Sequence, residues 1–248
     1  MKKKESLKFK IIYFKKLNST NLKLKTLIKK NKNINNLCVC SNYQTKGYGR
    51  RNTKWHSYSG NIHLSILIKP NCQLMKVNQL SFLTCLSLGE ILKNLIKKKK
   101  ISYKWPNDIL LNKKKISGII IETSSNIRSK VTWAIIGIGI NISKYPKNNK
   151  IQFPATSLSD ERIFVEKDFI LKLFIKNFFK NYLYWKKNGF AKIKRKWLFN
   201  LYKEKNKIIV KSNNQIYKGI FVNLSNDGNL KLLINKKIKI FSFGNQLV

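Results

Sequence analysis

Residues 104–122 read KWPNDILLNKKKISGIIIE, and the way this stretch is parsed decides the fold. Trp105 precedes a proline and is therefore biased to extended backbone, and its ring is wide enough to wall a flat ligand. Asn107 and Asp108 then put an amide and a carboxylate at a strand edge, where Asp108 can hold magnesium or orient a ribose or phosphate. A lysine run follows, and the apolar residues 116–122 read as a strand carrying Gly118. Lys113 and Lys114 fit a solvated turn. Lys115 begins the strand, so the sheet rather than solvent can aim it. On the residues alone, a hairpin with a packed tryptophan and solvated lysines is slightly the better fit. Taken alone, the stretch leaves both readings open.

Outward from this stretch the elements alternate. Short apolar runs predict strands at 37–41, 61–68, 101–104, 116–122 and 131–140, and the alternation of Ile62, Leu64, Ile66 and Ile68 predicts one buried face for 61–68. Leu80, Leu83, Ile91, Leu92, Leu95 and Ile96 recur at helical spacing. Ser19 is a candidate cap for a helix carrying Leu22, Leu27 and Ile28. A strongly apolar helix spans 168–188 with Gly189 as its stop, and a shorter helical piece reaches Tyr202. From Lys207 onward short strands separated by Asn-rich turns, among them Asn226-Asp227-Gly228, predict a small all-β appendix.

The bulk properties fit one large domain with a small one appended. The chain has 248 residues, 43% of them hydrophobic, and no apolar run of membrane-spanning length. Its 52 Lys and Arg against 10 Asp and Glu give a formal charge of +42, which ordinarily suggests nucleic acid. The lysines, however, are spread from end to end and accompany an excess of Asn and Ile, as AT-rich coding sequence produces. Cys38, Cys40, Cys72 and Cys85 form no C-x-x-C pair and read as reduced, buried thiols, which together with the lack of a signal-peptide core predicts a cytoplasmic protein.

Two further stretches carry chemistry. In YQTKGYGRRNTKWHS, residues 43–57, Gly47 and Gly49 can bring backbone amides to an anion, and Arg50, Arg51 and Lys54 can fork onto phosphate or carboxylate. A glycine-rich turn with solvated cations is the alternative. GIGINIS, residues 137–143, lacks the third glycine and following helix of a dinucleotide fingerprint. Glycines inside a strand instead let a ligand or backbone come close, with Asn141 as a polar contact at the strand's end. His56 and His63 have no partners at metal-ligand spacing and read as structural.

Ser19-Thr20-Asn21, YQTKGYGRRNTKW, KWPNDILLNKKKISGIIIE and GIGINIS, in this order and followed by a small β-domain, together strongly resemble the biotin protein ligases (biotin–acetyl-CoA carboxylase ligases). The resemblance covers nearly the whole chain and is to the monofunctional type, without the DNA-binding domain. It implies an α/β (α+β) fold: a mixed sheet of the class II synthetase and biotin–lipoate ligase type over residues 1–203, and an SH3-like β-barrel over 204–248. It also implies two reactions in one site, with biotin activated by ATP and magnesium to biotinyl-5'-AMP and then transferred to a lysine of the biotin carboxyl carrier protein of acetyl-CoA carboxylase. Lys115 and Arg50 are the implied catalytic pair. Ser19, Thr20, Asn21, Gln44, Gly47, Tyr48, Gly49, Arg50, Lys115 and Gly118 would bind biotin. Trp55, Lys104, Asn107, Asp108 and Asn141 would face ATP, with magnesium on Asp108. Specific DNA binding and membrane attachment are not expected, and a homodimer through a sheet edge is in keeping with the family.

Departures from the family pattern lie in the glycine loop, where Tyr48 and Thr53 stand for arginines and Asn52 for a glycine. Either Arg51 or Lys54 compensates for the lost cations, or the adenylate is held less tightly; the expectation is slow leakage of biotinyl-adenylate. The rival readings are a lipoate or octanoate ligase of the same fold and a basic nucleic-acid-binding module.

Overall fold

A computed structural model of the chain describes residues 9–96, 99–147, 153–203, 206–242 and 244–247. The apolar alternation resolves into a seven-stranded sheet in the order β1-β2-β3-β7-β6-β5-β4. Its strands are β1 (Lys10–Leu17), β2 (Leu37–Gln44), β3 (Ile62–Ile68), β4 (Ile101–Lys104), β5 (Asp108–Leu111), β6 (Lys114–Ser125) and β7 (Val131–Ile140). Strand β1 runs parallel to β2, with helix α1 (Thr20–Lys30) as the crossover, and the other pairings are antiparallel. Helix α1 starts where the side chain of Ser19 accepts a long bond from the Leu22 amide, 3.5 Å.

The two faces of the sheet are covered differently. Helices α2 (Asn78–Leu95), α3 (Lys167–Asn188) and α4 (Ala191–Phe199) pack on one face and form the large core with Leu64, Ile66, Ile138 and Ile140. On the other face α1 sets Leu24 against Leu37, Val39, Leu67 and Ile135. Because α1 is short, the rest of that face is left for a cavity. The alternation over residues 61–68 predicts one buried face. The strand that forms, β3, is buried on both, with His63 and Ser65 at 1% and 0% exposure, since it lies mid-sheet between α2 and the face carrying α1.

Strands β8 (Lys207–Ser212), β9 (Gln215–Leu224), β10 (Leu230–Ile234), β11 (Lys237–Phe241) and β12 (Asn245–Leu247) build a separate antiparallel sheet of the SH3-like type, ordered β11-β10-β9-β8-β12. Asn213-Asn214 and Asn235-Lys236 turn its hairpins with both residues at positive φ, as tight two-residue turns require. Asn112-Lys113 does the same between β5 and β6, so Lys113 is a turn tip as its sequence suggests. The boundary expected between residues 203 and 204 touches residue 204, which lies outside the described residues.

Helix α3 ends where expected. Gly189 has φ 75 and ψ −164, and its amide closes on the Trp185 carbonyl. No heavy atom lies within 4 Å of a Cβ built there, so Gly189→Ala should cost about 1–3 kcal/mol through backbone strain alone. Urea unfolding measures this, and an unshifted midpoint would refute it. The four cysteines are free thiols, three of them buried. Among the described residues no helix is long and apolar enough to cross a membrane.

Candidate active site

The sheet face that α1 leaves open is bare because its strands carry glycine. Gly139 of β7 pairs with Gly118 of β6, and Gly137 pairs with Ile120. A Cβ on Gly137 would lie 2.6 Å from Asn21 Oδ1, and one on Gly139 would lie 2.2 Å from the Trp55 ring. The glycines of GIGINIS thus let the end of helix α1 and the tryptophan lie directly on the sheet backbone. Over this floor opens a cavity of about 460 Å³.

One end of the cavity is polar and neutral. Ser19, Thr20, Asn21 and Gln44 line it, all but Gln44 fully buried. Gln44 Oε1 accepts from both the amide (2.8 Å) and the hydroxyl (3.1 Å) of Thr20. Its Nε2 is thereby left as the donating end, 3.4 Å from Ser57 Oγ.

The other end is cationic. Asp108 Oδ1 lies 2.7 Å from Lys115 Nζ, and Oδ2 lies 3.2 Å from Lys104 Nζ. Arg50 joins the group by donating to the Gly244 carbonyl (3.0 Å) and the Asn107 side chain (3.4 Å). Burial pushes the Asp108 carboxyl up, but Lys115 and Lys104 together outweigh it and hold it below its ordinary value. Burial draws Lys104 down, with Asp108 opposing. Three cationic heads against one carboxylate leave a positive excess, which suits an anionic ligand.

Lys115 reaches this end because of a β-bulge. Leu110 pairs with Lys115 and Ile109 with Ser117, so Ile116 is the extra residue. The bulge re-aims Lys115 onto the face of Gly118, where a Cβ added to the glycine would lie 3.1 Å from Lys115 Nζ. A strap containing Phe153 and Ala155 is bonded to it, with the Lys115 amide donating to the Pro154 carbonyl at 2.7 Å and the Thr156 amide to the Lys115 carbonyl at 3.0 Å. Lys114, by contrast, is exposed and 3.9 Å from Glu161.

The sequence-derived residues therefore converge, with two exceptions. Gly47 is buried beneath the loop, where a Cβ would meet the Trp55 carbonyl at 2.9 Å; it lets the loop pack and does not line the cavity. Asp108 does not fit a directly held magnesium ion. Its oxygens face two ammonium groups, which already neutralise the carboxylate. Asn141 lines the cavity and also donates to the Thr156 carbonyl at 3.0 Å, tying down the strap. His56 lines the cavity as well, whereas His63 is buried, lowered by that burial to about 4.

Sequence reasoning missed Phe153, Ala155, Gln246 and Leu247, all of which line the cavity. Gln246, on the last strand, bridges the Trp105 amide (3.0 Å) and the Tyr202 carbonyl (2.7 Å), and its own carbonyl accepts from Lys104. No local signal marks it. Glu122 was missed too, although a lone acid inside an apolar strand of so basic a chain is such a signal.

A glycine-floored cavity with a neutral hydrogen-bonding end and a cation cluster at the other defines a site for an acid with a polar head. The chain belongs to the biotin/lipoate A/B protein ligase family, whose model matches residues 13–141. It is 33% identical over 193 residues to the bifunctional ligase/repressor BirA of Bacillus subtilis, covering 75% of this chain and 58% of that protein. It is 29% identical over 199 residues to the biotin–acetyl-CoA-carboxylase ligase of Paracoccus denitrificans, covering 78% and 82%. A solved biotin protein ligase from Aquifex aeolicus, in complex with biotin and ATP, matches with a TM-score of 0.79 at 27% identity over 95% of this chain and 97% of that one.

Proposed function

We propose that this protein activates biotin with ATP to biotinyl-5'-AMP and transfers the biotinyl group to a lysine of the biotin carboxyl carrier protein of acetyl-CoA carboxylase. The observation that carries the reading is the order of the cavity, with Thr20 and Gln44 at its neutral end and Lys115, Lys104 and Arg50 around Asp108 at the other. The names of the Paracoccus and Aquifex proteins support it.

In the first reaction a carboxylate oxygen of biotin attacks the α-phosphorus of ATP, and the bond to pyrophosphate breaks. Both partners are anions, so the step needs charge neutralisation and alignment more than proton transfer. Lys115 and Arg50 supply the charge that meets the acid and the phosphoryl oxygens. Asp108 holds Lys115 at the cavity end until the ligand's anions compete for it. Trp55, Lys104, Asn107 and Asn141 wall the nucleotide.

In the second reaction the carrier lysine's ε-amine attacks the acyl carbon, the bond to AMP breaks and an amide forms, with the amine's proton lost to solvent. The loop over residues 47–54 keeps other water from the anhydride in the meantime. Residues 1–203 carry the chemistry in this reading, residues 204–248 form the appended domain, and the reaction is cytoplasmic.

Biotin-dependent exchange of labelled pyrophosphate into ATP tests the reading. Exchange with biotin and not with lipoate is expected. Exchange with lipoate alone would overturn the substrate, and exchange with neither, alongside salt-sensitive RNA binding, would favour a nucleic-acid module.

A further inference from the structure

Helix α1 and the glycine loop meet on one carboxylate of β6 that the reaction itself does not use. Glu122, on β6, accepts from the Tyr48 hydroxyl at 2.8 Å and from Asn21 Nδ2 at 2.7 Å, both on Oε2, while Lys25 Nζ lies 2.5 Å from Oε1. Burial favours its neutral form, but the bonds from Lys25, Asn21 and Tyr48 outweigh that and hold it ionised. The network continues inward. Asn21 Oδ1 accepts from Ser65 Oγ at 2.5 Å, which fixes the amide of Asn21 at both ends.

This carboxylate is one of the points that attach the glycine loop to the polar end of the cavity, beside the bonds that anchor its base through the Lys46 amide to the Asn18 carbonyl. Within itself the loop is a small hairpin, with Gly49 N–H on the Thr53 carbonyl (2.7 Å) and Trp55 N–H on the Gly47 carbonyl (3.0 Å). Arg50 ties it to the cationic end through the Gly244 carbonyl. At the neutral end the Tyr48 hydroxyl is bonded to Glu122, and it also meets the side chains of Ser19 and Asn21 at the start of α1.

We infer that Glu122 is a positioning residue that latches the glycine loop through Tyr48 to helix α1, and thereby sets how slowly a bound biotin leaves the site. The inference rests on the biotin-activating reading above. It also turns the expectation drawn from the sequence: Tyr48 is a tether in its own right, and its presence does not by itself make the site leak.

The test is the release rate of labelled biotin, chased with unlabelled biotin, from the wild type and from the variants Tyr48→Phe, Glu122→Gln, Glu122→Ala and Tyr48→Phe/Glu122→Ala, each with its thermal midpoint measured. Tyr48→Phe removes the hydroxyl and with it the bond to the ionised Glu122, and should speed release roughly tenfold or more with an unchanged midpoint. Glu122→Ala should speed it at least as much. The double variant should fall well short of the two single effects combined, because both changes undo the Tyr48–Glu122 contact. Glu122→Gln keeps an acceptor for Tyr48 and Asn21 and should stay closer to the wild type than Glu122→Ala. Wild-type release from Tyr48→Phe overturns the latch, and so do additive effects in the double variant. A wild type that binds no biotin overturns the biotin reading instead, so the two failures are distinct. Tyr48→Phe keeps the question answerable where Glu122→Ala does not fold.

Discussion

Lys115→Ala is expected to slow biotinyl-adenylate formation about 100- to 1,000-fold, the usual consequence of removing one preorganised charge from a developing oxyanion. Lys113→Ala should change it less than about twofold, as surface substitutions do. The contrast follows from geometry. Lys115 lies 2.7 Å from Asp108 and 5.8 Å from the Trp55 ring centroid, inside the cavity, whereas Lys113 sits at a turn tip with φ 65. Single-turnover measurement of the adenylate separates this from any effect on carrier docking. Equal losses at both positions would mean that the lysine run acts only as bulk charge.

Asp108→Ala is expected to destabilise the fold by about 3–5 kcal/mol at neutral pH, the cost of leaving a buried cation without its partner. Lys104 is the cation concerned, with its side chain 8% exposed. The loss should carry a pH signature in urea unfolding. In the wild type the Asp108 carboxyl sits below its ordinary value of 3.8. Its stabilisation is therefore complete above that ordinary value and is lost as pH falls through the lowered one, where wild type and variant converge. In the variant, burial draws Lys104 down with Asp108 no longer opposing it. A base lowered in the folded state gains stability as pH rises towards the usual lysine range of about 10, so the deficit should shrink there. A difference that stays flat across pH would sink the argument.

The elements were legible where one residue period ran uninterrupted. Strand β7 has the bounds that the sequence predicts, and α3 begins one residue earlier than predicted and stops at Gly189. Strand β5 escaped because four residues between a proline turn and a lysine turn carry too little period to read. Strand β12 escaped because Asn245–Leu247 is a strand only through its pairing with β8. The two-sided burial of β3 was equally unreadable, since His63 and Ser65 look like an outward face until α1 and the cavity cover them.

The site divides in the same way. Residue type and order alone specified a glycine loop, an Asn-Asp pair, one lysine set apart from its neighbours, and the family these belong to, because such chemistry is carried by short segments. Tertiary structure decided which surfaces those segments share. Only the bulge at Ile116 turns Lys115 to the face of Gly118. Only packing across 101 residues of chain brings Asn21 to Glu122, and across 141 residues brings Gln246 to Trp105. Local propensity and period describe how a segment folds and which way its side chains alternate. They hold no information on what a distant segment will lay against it, and in this protein that is what turned Asp108 from an expected magnesium ligand into the counter-charge of two lysines.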